Sequence, residues 1–172
     1  KGAVIQKASL PPVMAIPHQM HQLFYNLLSN ALKFAKKDIA PLIDICIKRH
    51  EKIEGDTSFG DVGRPYFEII IRDNGIGFEQ EKAEKIFGMF QRLHSRQDYS
   101  GTGIGLAFCR KVVTNHQGHI YATSSPDIGT AFHTAVQCIN GREDFGSVRF
   151  HLHSWAHSSK NHAGHVKAVG QV

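Results

Sequence analysis

The stretch "GTGIGLAF", Gly101–Phe108, sets three glycines at alternate positions directly ahead of residues with helical spacing. The free amides and positive dipole end of a helix N-terminus attract phosphate. A dinucleotide fingerprint needs G-x-G-x-x-G after a strand, but the sixth position here is Leu106 and the segment before it is irregular. A P-loop needs Gly-Lys-Ser/Thr at a set spacing, and none follows. What remains is G-x-G-x-G opening a helix over roughly 104–116. A glycine-rich hinge would read the same way, so the neighbouring segments have to decide.

Upstream, "YFEIIIRD" (66–73) is apolar almost throughout, as expected of a central strand, and runs into "NGIGF". Further upstream, Pro17 suits a first helical turn. After it Met20, Leu23, Phe24, Leu27, Leu28, Ala31, Phe34 and Ala35 recur at helical period. Pro41 resets the chain before a strand at 42–50, and residues 51–65 read as a polar, hairpin-like loop. A charged helical stretch is expected at 79–87, then a loop without clear period. Downstream, 119–125 and 130–138 read as strands joined by "PDIG", and residues 1–17 as an extended lead-in. Helices alternating with strands and ending in a hairpin predict an α+β fold, a two-layer α/β sandwich. Its mixed, mostly antiparallel sheet has about five strands packed against about three helices.

On the first helix, Asn26, Asn30 and Lys33 fall within about 60° of one another, at the border of the apolar stripe. An Asn carbonyl is a neutral hard ligand suited to Mg²⁺ that also carries phosphates and water. A polar helix face with local amide hydrogen bonds accounts for the same residues. Asp73 ends the apolar strand, where a carboxylate either caps the turn or receives hydrogen bonds from a ligand. An adenine amino group is a fitting donor there, whereas guanine would set acceptor against acceptor. Gly75 and Gly77 would let the backbone pass close under such a ring.

Composition narrows the classes. A chain of 172 residues with 41% hydrophobic and 20% charged residues suits one globular domain. No apolar run approaches a membrane span, so this chain is not expected to insert in a bilayer. Its first residue, Lys1, suggests a piece excised from a longer protein. Cys46, Cys109 and Cys138 lie far apart with no CxxC, which suits a reducing, cytoplasmic setting even for a membrane-bound parent. The net charge of +5 is spread out, without a basic stripe, so nucleic acid is not an expected partner. Residues 139–172 form a separate, His-rich tail or appendage. Its His151, His153, His157, His162 and His165 match no closed zinc spacing.

Taken in order, these segments resemble the ATP-binding catalytic domain of bacterial sensor histidine kinases, within the wider group that includes gyrase and MutL. "HQLFYNLLSNALKF" looks like the N box, "DNGIGF" the G1 box, "IFGMFQRL" the F box and "GTGIGLAF" the G2 box, with "GTAF" (129–132) the late Gly-Thr. The resemblance covers residues 1–138 and implies the Bergerat ATP-binding fold. It implies Asn30 as Mg²⁺ ligand, Asn26 as support for the ion or phosphates, and Lys33 as a phosphate contact. Asp73 would select adenine, with Gly75, Gly77 and Phe78 shaping that wall. Residues 88–101 would be the ATP lid, with Phe87 and Phe90 anchoring its hinge and facing a partner domain; core packing accounts for those two equally. Arg92 and Arg96 would neutralise the γ-phosphate or bridge to the partner, unless they are solvated loop charges. Gly101, Thr102, Gly103, Ile104, Gly105 and Leu106 would cradle the phosphates, and Thr130 would line the pocket.

The resemblance also separates reaction types. In hydrolysing relatives a glutamate four residues before the metal asparagine activates water, and here that position is Asn26. A neutral imidazole acceptor needs no such base, because its nitrogen already has a lone pair, so transfer rests on positioning and charge neutralisation. The chain carries no acceptor motif of histidine, acidic residue, arginine and proline in close succession. The implied activity is therefore γ-phosphoryl transfer from ATP to a histidine on a separate dimerisation domain of a homodimeric parent, serving a response regulator. The chain is not expected to autophosphorylate alone. A gyrase- or MutL-type hydrolysing ATPase and a degenerate docking module are the alternatives.

Overall fold

In α1, Pro17–Lys33, the buried side chains are Met20, Leu23, Phe24, Leu27, Leu28 and Ala31, the stripe expected from the 3.6-residue period. Pro17 occupies the first turn, and no side chain caps the helix at Ile16. That N-terminus is tied down from elsewhere: the Ile16 N–H donates to His116 Nε2 at 3.0 Å. His116, itself 1% exposed, points Nδ1 at the Val112 carbonyl, 2.8 Å away. The ring accepts at Nε2 and donates at Nδ1, so it bridges the start of α1 to the end of α2 (Gly105–Asn115).

The computed structural model describes residues 2–8, 13–50, 66–93, 101–137, 146–148 and 166–170. The loop at 51–65, Arg96 and the five tail histidines lie outside them. The strands are β1 (Ala3–Lys7), β2 (Val13–Ala15), β3 (Leu42–His50), β4 (Tyr66–Asp73), β5 (His119–Ser125), β6 (Gly129–Gln137), β7 (Gly146–Val148) and β8 (Val166–Gly170). A six-stranded sheet runs β5-β6-β4-β3-β1-β8, and β2 pairs with β7 in a second, two-stranded sheet. The pairs β3–β4, β4–β6 and β5–β6 are antiparallel, whereas β1 is parallel to both β3 and β8. Parallel neighbours need a crossover, and α1 supplies the one between β1 and β3.

Alternate residues of the sheet (Ile5, Ile43, Ile45, Ile69, Ile71, Ile120, Phe132 and Val136) meet α1 and α2 in the core. Cys109 on α2 is fully buried and sends its thiol toward the Leu23 carbonyl. Burial pushes that thiol up to about 12, so it packs as a small apolar group. This is the two-layer α+β sandwich expected, with a mixed, mostly antiparallel sheet. The extended lead-in is strand β1 inside that sheet, and two short strands from beyond residue 138 pair with β1 and β2. Among the described residues no helix is long and apolar enough to cross a membrane.

The third helical element, at 79–87, takes the form of two separate 3-10 turns, Gln80–Lys82 and Lys85–Phe87. Tertiary anchors at both ends explain the break. The Gln80 amide is bound to the outer edge of β5, donating to the Ala122 carbonyl at 3.1 Å and accepting from the Ser124 N–H at 2.8 Å. At the other end Ile86 and Phe87 must be buried. Phe87 meets Phe132 edge-on at 6.4 Å, and the Arg110 guanidinium lies 4.7 Å above its ring.

On the opposite sheet face the buried Glu68 carboxylate gathers three partners from neighbouring strands. His50 Nε2 and His133 Nδ1 each lie 2.8 Å from it, and the Tyr121 hydroxyl donates at 3.2 Å. Desolvation, the largest influence, raises the Glu68 pKa, but the bonds from His133, His50 and Tyr121 outweigh it and hold the group below its ordinary value. A carboxylate depressed on folding adds stability that is present above its unfolded pKa and lost as pH falls through the folded value. Glu68→Gln is therefore expected to cost about 1.5–3 kcal/mol at pH 7. In urea unfolding, its deficit relative to the parent should shrink as pH drops below the ordinary glutamate range. A deficit independent of pH would contradict this account.

Candidate functional site

Where α1 ends, β4 stops and α2 begins, the structure leaves a cavity of about 310 Å³, at the lower end for a small-molecule site. From α1 it receives Asn30, Lys33 and the cap residue Phe34; from the loop after β4, Asp73, Ile76, Gly77 and Phe78. The segment after the 3-10 turns gives Gln91, Arg92 and Leu93, the glycine loop gives Gly101, Thr102, Gly103, Gly105 and Leu106, and β6 gives Thr130 and Phe132. Ile86 completes the wall.

One end of the cavity is built around a carboxylate. Asp73 Oδ1 accepts the Gly75 N–H at 2.8 Å and the Thr130 N–H at 3.2 Å. Burial is the largest influence and raises its pKa, with those two backbone bonds pulling the other way. Gly77 sits below at φ 62°, and a β-carbon there would lie 2.0 Å from the Ser125 carbonyl oxygen. Only glycine meets both conditions.

The other polar group is cationic. The Lys33 pKa is lowered, first by burial and second by the neighbouring Arg92. A desolvated ammonium next to a guanidinium is a place where an anionic ligand is electrostatically favoured. The glycine loop approaches the same lysine closely, since a β-carbon at Gly101 would lie 2.8 Å from Lys33 Nζ. The two ends of the segment between the 3-10 turns and α2 are pinched together, with the Phe90 N–H donating to the Gly103 carbonyl at 2.9 Å. Phe90 holds φ 61° at this neck and is 68% exposed, whereas Phe87 is core. The two phenylalanines of that box thus have different fates.

Residues 15–138 match the family described as histidine kinase-, DNA gyrase B- and HSP90-like ATPase. The chain belongs to that ATPase family. It is 40% identical over 135 residues to phytochrome-like protein Cph1 of Synechocystis, and 40% over 142 residues to cyanobacterial phytochrome A of Nostoc. These matches cover 78% and 83% of this chain but only 16% and 17% of the relatives. The adaptive-response sensory kinase SasA of Rippkaea orientalis is 32% identical over 124 residues, covering 72% of this chain and 28% of its own length. Among solved structures, the mycobacterial sensor histidine kinase MprB superposes with TM-score 0.60 at 20% identity, covering 78% of this chain and 80% of that one. The catalytic domain of histidine kinase ThkA superposes with TM-score 0.57 at 22% identity, covering 79% of this chain and 80% of that one. At these identities the structural likeness speaks to fold.

Most of the ATPase-family box residues singled out in the sequence meet in this one cavity; among the described residues Asn26, Gly75, Phe87, Phe90 and Ile104 do not line it. Asn26 instead ties α1 to α2, its Nδ2 donating to the Gly105 carbonyl at 3.3 Å and its Oδ1 accepting from Gln22 at 3.2 Å. A β-carbon on Gly75 would lie 2.6 Å from the Phe34 carbonyl oxygen and 2.8 Å from Asp73 Oδ1. Its smallness thus serves the packing of the loop on α1. Ile104 is the residue preceding α2, 39% exposed. Phe34, Ile76, Ile86, Leu93 and Phe132 line the cavity without having been singled out as site residues, because apolar residues in or beside a motif look like core until the fold opens a space there; the polar Gln91 lines it too. Gly77→Ala is expected to lower Tm and weaken nucleotide binding together, the strained φ alone costing about 1–3 kcal/mol. Unchanged thermal unfolding would show that the loop relaxes around the new methyl.

Proposed function

We propose that this chain binds ATP with Mg²⁺ and transfers the γ-phosphoryl group to a histidine on a separate dimerisation domain. That domain would belong to the same homodimeric parent, which serves a response regulator in two-component signalling. The observation that carries this reading is the convergence of Asn30, Lys33, Arg92 and residues of the Gly101–Gly105 loop on the cavity that Asp73 also lines.

Asp73 would accept from the adenine amino group, with Gly77 and Phe78 as the wall of the base site and Thr130 beside it. Lys33 and Arg92 would take the phosphates, helped by amides at the start of α2. The donor set fits Mg²⁺ held largely by the nucleotide. Asn30 offers a neutral carbonyl at the wall, and no cluster of three or more His, Cys, Asp or Glu among the described residues is able to hold a metal. When bound, the ion would neutralise phosphate charge. Asn26 would act one step back, holding Gly105 and with it the phosphate loop. The exposed Met89 and Phe90 at the lid neck, and Phe108 on α2, would offer apolar contacts to the dimerisation domain.

Transfer is favoured over hydrolysis because Asp73 is the only carboxylate among the described lining residues, and it is engaged by two backbone N–H groups. Asn26 carries no base and is turned to Gly105. Asp73→Asn is expected to weaken adenine-nucleotide binding by about 10- to 100-fold in calorimetry with the fold intact. Asn30→Ala should remove the Mg²⁺-dependent part of nucleotide affinity and slow transfer to a supplied dimerisation domain on the order of 100-fold. Normal transfer by that variant would refute the metal assignment, and steady ATP turnover by the chain alone would favour the hydrolysing reading.

A further inference from the structure

Behind the base site lies Ser124, near the end of the edge strand β5. Its Oγ accepts the Phe78 N–H at 3.0 Å, donates to the Gly129 carbonyl at 2.9 Å and lies 3.0 Å from Thr130 Oγ1. From outside the sheet the Gln80 side-chain amide grips the same stretch of β5, bonding the Ala122 carbonyl and the Ser124 N–H. Ser124 is thus held on its backbone and on its hydroxyl, and it touches two residues of the base wall.

The Gly129 carbonyl can only accept, and assigning the Ser124 hydrogen to it sets the direction of the remaining bonds. A serine hydroxyl has one hydrogen to give and two lone pairs to receive. With its hydrogen on the Gly129 carbonyl and one lone pair on the Phe78 N–H, only the second lone pair remains for Thr130. The hydroxyl of Thr130 must then be the donor in that pair. Having given its single hydrogen to Ser124, Thr130 Oγ1 has only lone pairs to offer the cavity. Asp73 Oδ1 is likewise occupied by two N–H donors, which leaves Oδ2 to accept from a ligand.

We propose that Ser124 is a positioning residue for base specificity: it turns the Thr130 hydroxyl into an acceptor, so that the site presents Thr130 and Asp73 as paired acceptors. A purine with a 6-amino group can give each acceptor a hydrogen from that group, whereas a 6-oxo purine sets its O6 lone pairs against the same wall and keeps only its N1–H as a donor on that edge. This rests on the assignment of adenine to Asp73 and goes beyond it by naming the residue that sets the polarity of its neighbour. Without the Ser124 hydroxyl, Thr130 regains a free proton and the wall can serve either purine.

The test compares ATP with inosine triphosphate, which carries 6-oxo in place of 6-amino, by calorimetry on the whole chain. Ser124→Ala is expected to lower the ATP-to-inosine-triphosphate preference by about tenfold, chiefly by strengthening inosine triphosphate. Ser124→Thr, which keeps the hydroxyl, should restore the preference. In a Thr130→Val background the Ser124→Ala change should leave the preference where it is, because the group it acts through is gone. Equal weakening of both nucleotides, or an unchanged ratio in a folded Ser124→Ala protein, would overturn the proposal. If Ser124→Ala does not fold, Ser124→Cys keeps the volume with a far weaker acceptor, and an unchanged ratio there overturns it equally. Should Asp73→Asn leave ATP affinity and the ratio unaltered, the adenine assignment itself fails. That outcome is separate from a failure at Ser124 alone.

Discussion

A carboxylate at the buried end of a central strand has to be met by donors, and much of this molecule is arranged around that need at Asp73. Desolvation pushes its pKa up, and the N–H groups of Gly75 and Thr130 partly restore the charged form. One donor lies two positions from Asp73 and the other 57, so satisfying one side chain fixes the loop after β4 against the start of β6. The approach is close enough that a β-carbon on Gly129 would lie 2.0 Å from the Asp73 carbonyl oxygen. On the other side, the Ile76 N–H reaches the Phe34 carbonyl at 2.9 Å, which seats the same loop on the end of α1. One strand end therefore organises helix, loop and hairpin into the wall of a cavity.

The helices bring the opposing charge. On α1 the apolar stripe that drives the helix onto the sheet ends beside Asn30 and Lys33, so hydrophobic packing places polar groups at the cavity edge without any separate device. Lys33 loses hydration there, and Arg92 adds to the cost of its charge. A site with a half-buried carboxylate at one wall and a destabilised cation at another is asymmetric. It suits a ligand with hydrogen-bond donors at one end and negative charge at the other, as a nucleoside polyphosphate has.

Strands β3, β4 and β5 coincide with the runs read at 42–50, 66–73 and 119–125, because apolar strand-formers bounded by turn residues pack into a half- or fully buried sheet. The apolar face of α1 was equally legible up to Ala31. The segment at 79–87 was not: its composition favours a helix, yet Gln80 is bound to β5 and Phe87 to Phe132, and the chain turns twice between these anchors. The Glu68 cluster also escaped notice, since His50, Tyr121 and His133 are distant in sequence and meet only through strand register. Gly75 and Asn26 stood out as site residues for their type and spacing. Neither lines the cavity: Asn26 bonds the Gly105 carbonyl, and Gly75 packs against Phe34.

By itself, the sequence determined the central strands, the apolar faces and the family boxes, because periodicity and glycine spacing are local properties of the chain. Only the tertiary structure decided which box residues share a cavity, that Phe87 is buried while Phe90 is exposed, and that the hydroxyl behind Thr130 belongs to Ser124. Those outcomes depend on strand register and on competition for a limited number of hydrogen-bond donors. Neither is written in any single stretch of residues.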